Sequence, residues 1–194
     1  MALKFNIQAS ASDIESAKSQ APSGRYSGPT PPPDLYNLKL VNLASGEDAK
    51  GNPRLVAALD IDETGDKAVY NGARIFDNLA IPTDTSYEHF AVQVNVLDSF
   101  LRAVSGGAYD IDAFIKDANA GKIITEGENK KGDPFIKSIG KFKLEKAVGV
   151  TAKTRIRSWN GNDYVNIHFY DTSKITAAGS NEDASADDLD DLLG

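Results

Sequence analysis

Residues Thr151 to Tyr170 restrict the fold of this chain more tightly than any other stretch. Asn160-Gly161 sits between two runs of alternating side chains. A two-residue type I′ turn needs φ > 0 at both central positions, which Asn and Gly tolerate best. Such a turn dictates the register: Trp159 faces Asn162, Arg157 faces Tyr164, Arg155 faces Asn166, and Lys153 faces His168. By period-two alternation one face collects Lys153, Arg155, Arg157, Trp159, Tyr164, Asn166, His168 and, near its end, Tyr170. The other collects Ala152, Thr154, Ile156, Val165, Ile167 and Phe169, and reads as a core face.

More strands precede this hairpin. Leu35 to Leu43 alternates, with Tyr36, Leu38 and Leu40 on one face and Asn37 and Lys39 on the other. After a polar loop from Ala44 to Asn52, Arg54 to Asp62 places Leu55, Ala57, Leu59 and Ile61 inward. A third strand, about Ala73 to Ile81, follows the turn signal Tyr70-Asn71-Gly72. It sets Ile75 and Leu79 against Arg74 and Phe76, and it puts Asp77 on the apolar side unless a bulge intervenes. Thr85 and Glu88 have capping-box spacing ahead of Phe90, Val94, Leu97, Leu101 and Val104, so a helix is expected there, stopped by Gly106-Gly107. A shorter helix is expected over Asp112 to Asn119. Gly121 to Phe135 is glycine-rich and charged and reads as a mobile excursion. Leu3, Phe5 and Ile7 could form a short edge strand, and Gly28 to Pro33 favours extended backbone. Three strands, a helix and two more strands match the order of an OB-fold. The expected architecture is mainly β: a five-stranded Greek-key barrel with one main helix between strands 3 and 4.

The hairpin's polar face combines cations with flat rings, the pairing that a single-stranded nucleic acid requires for its phosphates and unstacked bases. The candidate contacts are Lys153, Arg155, Arg157, Trp159, Tyr164 and His168. Arg74 and Phe76 join them if the third strand presents that face; otherwise Phe76 is a core residue. Tyr36 and Tyr70 read as barrel-rim packing. Lys141, Lys143 and Lys146 are either an electrostatic funnel or solvated loop lysines.

A formal charge of -7 opposes nucleic-acid binding until the acids are located. Asn181 to Gly194 holds Glu182, Asp183, Asp187, Asp188, Asp190 and Asp191 without a Lys or Arg, and removing them leaves -1 over residues 1–180. The tail is expected to be disordered. Asp187, Asp188, Asp190 and Asp191 supply charge and Leu189, Leu192 and Leu193 an apolar anchor, a combination suited to docking a partner protein. With no cysteine and only two histidines, neither a disulfide framework nor a thiolate or histidine-rich metal site is expected, and no cofactor is implied. No apolar run reaches the length of a membrane span, so no membrane partner is expected.

An enzyme reading must be weighed. Asp60-Ile61-Asp62-Glu63-Thr64 reproduces the DxDxT pattern of haloacid-dehalogenase-like phosphatases. That chemistry needs a parallel sheet with alternating helices, whereas this chain has antiparallel strand grammar. The same segment opens like a calcium loop, but its twelfth position is Asn71 instead of Glu.

These parts together resemble bacteriophage single-stranded DNA-binding proteins. The likeness rests on the strand order, the basic-aromatic hairpin and the acidic tail ending Asp190-Asp191-Leu192-Leu193-Gly194. Gly28-Pro29-Thr30-Pro31-Pro32-Pro33-Asp34-Leu35-Tyr36, Tyr70-Asn71-Gly72-Ala73 and Trp159-Asn160-Gly161 are similar to segments of such replication-cluster proteins. The resemblance implies a non-enzymatic role in DNA replication and recombination, with single-stranded DNA in the groove, replication or recombination proteins on the tail, and a cytoplasmic location in the host. The expected organisation is an extended arm over residues 1–34, a nucleic-acid-binding domain over 35–171 and a flexible tail over 172–194. A homo-oligomer is compatible with the sequence. The competing expectation is an OB-like protein-interaction module that holds no nucleic acid, because Tyr, Trp and Arg serve polypeptide interfaces equally well.

Overall fold

The structure is a computed structural model and describes residues 28–173 and 175, with backbone only at Trp159. The expected edge strand at Leu3–Ile7, most of the N-terminal arm and the acidic tail lie outside the described residues. Within them the chain is mainly β. Strands β1 (Leu35–Glu47), β2 (Pro53–Ile61) and β3 (Arg74–Ala80) come first, then helices α1 (Phe90–Ser105) and α2 (Ile111–Asn119). Strands β4 (Ile123–Glu128), β5 (Pro134–Ile139) and β6 (Phe142–Lys143) follow, and β7 (Val150–Trp159) and β8 (Asn162–Tyr170) close the series. The eight strands form one antiparallel-paired sheet, where five were expected.

Long β1 organises this sheet. It pairs with β2 along most of its length, while its first residues pair with β7, from Leu35↔Lys153 to Leu38↔Val150. Its later half meets β5 at Ala44↔Phe135. A bulge between Leu40 and Asn42 lets one strand serve both neighbours, since the extra residue bends β1 and restores the inward phase at Leu43. β2 pairs with β3 without interruption, so no bulge rescues Asp77 from the apolar face. Following the antiparallel pairs through β2 and through β7, β3 and β8 both run parallel to β1, and they come to lie side by side.

The core lies between the inward face of the sheet and α1. Tyr36, Leu38, Leu55, Leu59, Ile75, Leu79 and Ala152 from the sheet meet Leu97, Phe100, Leu101 and Val104 of α1. Each large apolar side chain contributes about 1.5–3 kcal/mol by leaving water, so the four residues of α1 seat that helix firmly. Gly106, at φ 65°, ends α1 in the left-handed conformation expected of it. The helix starts later than the Thr85–Glu88 spacing predicts, because the Asp84 carboxylate captures both the amide and the hydroxyl of Ser86 and folds these residues into a turn. Asp110 caps α2 by accepting from the Ala113 amide, and Asp98 of α1 accepts from the Ile111 amide and from Arg102. One carboxylate thereby ties the two helices together.

Residues 121–135 are a hairpin rather than an excursion. β4 pairs with β5, which is anchored by buried Ile136 and Ile139 and by its contact with β1. Gly121 and Gly132 supply turns, Gly127 sits at a register shift within β4, and two apolar residues in β5 suffice to seat the hairpin. Residues 28–34 run back along the sheet edge: Pro31 is buried, the Tyr36 hydroxyl donates to the Pro32 carbonyl, and Asp34 and Thr154 exchange hydrogen bonds. Among the described residues no helix is long and apolar enough to cross a membrane.

Candidate nucleic-acid interface

The Asn160-Gly161 turn forms as expected, with φ values of 49° and 75°, and it holds the register Trp159↔Asn162, Arg157↔Tyr164 and Arg155↔Asn166. The expected pairing Lys153↔His168 does not occur. A bulge between Lys153 and Thr154 places Lys153 opposite Phe169 and Thr154 opposite Ile167, leaving His168 as the additional residue. Everything after the bulge changes face. Phe169, expected in the core, is 50% exposed, while Tyr170, expected on the basic face, is buried. Ile156 is also exposed, because β7 and β8 extend past the first residue of β1 and, among the described residues, its side chain is left partly open to solvent.

The projecting end of the hairpin forms one wall of an open groove of about 1720 Å³. Arg157, Ser158, Asp163, Tyr164, Val165 and Asn166 line it from this arm. The opposite wall is the outer face of β2 and β3, with Arg54, Asp60, Arg74, Phe76 and Asn78, while Gly28, Thr30 and Pro31 close one side. The alternation of β3 settles the position of Phe76. Ile75 and Leu79 are buried, so Arg74, Phe76 and Asn78 point outward, and Phe76 is 54% exposed. An apolar ring at that exposure midway along β3 offers a flat surface to a ligand. Tyr164, 49% exposed, provides a second ring across the groove.

The sequence-derived candidates therefore divide. The structure brings Arg157, Tyr164, Arg74 and Phe76 to one groove. Lys153 and His168 lie outside it; Lys153 sits at the base of the arm, 3.9 Å from the Asp34 carboxylate. Arg155 is half-buried and does not line the groove. The Trp159 side chain and the tail residues Asp187 to Leu193 lie outside what the structure describes. Two lining residues, Arg54 and Asn78, escaped the sequence reading. Their signal was present: both occupy the outward phase of strands whose inward phase was recognised.

The charges differ in availability. Arg74 is forked onto Asp60 at 2.7 and 2.9 Å, which raises the guanidinium pKa further. Asp60, the first acid of the DxDxT pattern, is thus the partner of a groove arginine. Asn71 spends its side chain on the backbone of Glu63, and no cluster of metal-ligating side chains occurs among the described residues. The Nε atoms of Arg54 and Arg155 are buried and have no hydrogen-bond partner among the described residues.

Behind the groove lies Asp77, facing the core from β3. It accepts a 2.7 Å hydrogen bond from the Tyr170 hydroxyl. Burial pushes its carboxyl pKa up; the Tyr170 hydroxyl, the Asn78 amide and the nearby Arg155 and Arg157 charges act against that shift. Burial, with the Asp77 charge, also pushes the Tyr170 phenol far up, so this group stays protonated as the donor. The pair joins β3 to β8 at the place where the arm leaves the sheet. No protein-family model matches the chain, and no curated protein matches it in sequence.

Proposed function

We propose that this protein is a sequence-tolerant single-stranded DNA-binding protein whose groove holds the strand between the outer face of β2–β3 and the β7–β8 arm. The observation that carries the reading is Phe76: an exposed ring flanked on its own strand by Arg74 and Asn78, facing Arg157 and Tyr164 across an open groove. Bases have apolar faces that stack on such rings at about 1–3 kcal/mol each, with little regard to sequence. Arg157 and Arg54, which both line the groove, suit the phosphates between them. At about 1720 Å³ the open groove exceeds the roughly 300–1,000 Å³ of pockets that bury small ligands, which leaves room for an extended polymer.

The fold supports the reading. Strand neighbours run β3-β2-β1-β7-β8, with β8 returning beside β3 in parallel orientation. We read this as an OB-like Greek-key barrel into which the helices and the β4–β6 hairpin are inserted, with the ligand on the strand 2–strand 3 face that such barrels commonly use. The resemblance to phage single-stranded DNA-binding proteins extends the proposal to replication and recombination, with the acidic tail recruiting partners.

The test is fluorescence anisotropy of a labelled oligothymidine titrated with the full chain at low and moderate salt, beside a duplex of equal length. Preferential, salt-sensitive binding of the single strand is expected, and Phe76→Ala should weaken it roughly 5- to 100-fold with little change in salt slope. Equal affinity for duplex, or an unaffected Phe76→Ala variant, refutes the assignment of the groove.

A further inference from the structure

Phe169 has no role in the groove, yet its ring is half in water. It reaches the surface only because the bulge beside Thr154 adds His168 to β8. Without that residue, period-two alternation would send Phe169 into the core. Bulges recur where a side chain must be re-aimed. Here the re-aimed ring lies opposite Lys153, and its neighbour His168 packs edge-on against it with centroids 5.5 Å apart. Lys153 occupies the same strand face as Arg155 and Arg157, so one row of cations runs from the base of the arm to its tip. Phe169 and Tyr164 mark the two ends of the facing row on β8. Only the tip half of this double row lines the groove.

We propose that the nucleic-acid track continues out of the groove along the arm and ends on a second stacking platform made by Phe169, with Lys153 beside it for phosphate. The inference rests on the single-stranded DNA reading and adds a site to it. Two features favour nucleic acid over a polypeptide as the occupant: Phe169 shares a strand face with the groove-lining Tyr164 and Asn166, and Lys153, Arg155 and Arg157 all lie on the matching face of β7. Lys153 is held only loosely by Asp34, which the nearer Lys67 already engages at 2.9 Å. Releasing Lys153 to a phosphate therefore disrupts little.

The length of the ligand separates the two platforms. Anisotropy is measured with oligothymidines of about 6 and about 16 nucleotides, within the range of site sizes for such barrels. Phe169→Ala should weaken the long oligonucleotide roughly 5- to 100-fold while leaving the short one at wild-type affinity. Phe169→Tyr, which keeps a ring, should restore the long-oligonucleotide affinity. Phe76→Ala should weaken both lengths. Because Phe169 is exposed, its truncation leaves the core intact, and an unchanged circular dichroism melt verifies this. Wild-type affinity of Phe169→Ala for the long oligonucleotide overturns the second platform while leaving the groove in place. So does equal weakening of both lengths. If Phe169→Ala alters only the oligomeric state seen by light scattering, the patch is a protein contact and the proposal fails. If the wild-type chain binds neither length at low salt, the groove reading itself falls.

Discussion

Tyr170→Phe tests the junction on which the arm depends. The substitution deletes one oxygen from a buried residue and leaves the ring to pack on Phe100, whose centroid lies 5.5 Å away. What disappears is the 2.7 Å hydrogen bond to the Asp77 carboxylate. A hydrogen bond to a charged group contributes about 1.5–3 kcal/mol net, and a buried acceptor left without its partner adds desolvation cost. The expected loss at pH 7 is therefore about 2–3 kcal/mol, or a fall in Tm of roughly 4–12 °C for a domain of this size.

The pH dependence has a definite sign. The folded Asp77 pKa lies above its unfolded value, so between the two the folded state binds more protons. Stability then falls as pH rises through that window and recovers on acidification through the folded pKa. Removing the Tyr170 hydroxyl removes the largest influence holding that pKa down, which widens the window. The deficit of Tyr170→Phe should thus be larger at pH 7, well above the ordinary carboxylate range, than at pH 4, within it. Urea denaturation followed by circular dichroism at both values measures it, and Asp77→Asn in the same background should abolish the difference. A deficit below about 0.5 kcal/mol at pH 7, or one independent of pH, would mean that Asp77 finds water or another donor and that the seam does not rest on this pair.

Further outcomes follow from the groove. Arg157→Ala should lower the salt slope of oligothymidine binding by about 0.7, the single-strand value for one phosphate contact, and an unchanged slope would remove Arg157 from the phosphate path. Asp60→Asn releases the Arg74 guanidinium from its forked pair and should raise DNA affinity up to about 5-fold, as expected for an exposed ion pair no longer competing; reduced affinity would show that Asp60 positions Arg74 productively. Gly140→Ala should cost about 2 kcal/mol or more, since φ is 55° there and a Cβ would overlap the Asp117 carboxylate, which accepts from the Tyr109 hydroxyl and Lys122. A thermal melt within a degree of wild type would contradict that packing.

Local rules carried the reading of the sequence a long way and then stopped at identifiable residues. Asn160-Gly161 specified its own turn and three of the four cross-strand pairs counted from it, because each pair follows mechanically from the last. The inward phases of β2, β3 and the first half of β1 and the buried stripe of α1 were legible for the same reason: period and polarity agreed. The bulge after Leu40 then shifts the phase of β1 and carries it through Ala44 to Glu47, where a loop was expected. The misreadings begin where a residue answers to something distant. The bulge at His168 cannot be inferred from alternation, and it turns Tyr170 inward to meet an acid 93 positions earlier in the chain. Asp77 looked like a flaw in β3; its hydroxyl donor resolves the flaw and reverses the faces of the last residues of β8. The β4–β5 hairpin was obscured because most of its residues are exposed and its attachment depends on two buried isoleucines meeting β1 and the core.

By itself, then, the sequence determined the turn, the strand phases, the main helix and the presence of a basic-aromatic hairpin. These depend on neighbours in the chain, whose geometry is set by backbone sterics and side-chain period. Only the tertiary structure decided that Phe76 and Tyr164 share a groove, that Asp60 occupies Arg74, and that Lys153, His168 and Phe169 stand apart at the base of the arm. Those outcomes depend on which strand lies beside which, and the last of them goes with the buried Asp77 carboxylate accepting from the Tyr170 hydroxyl.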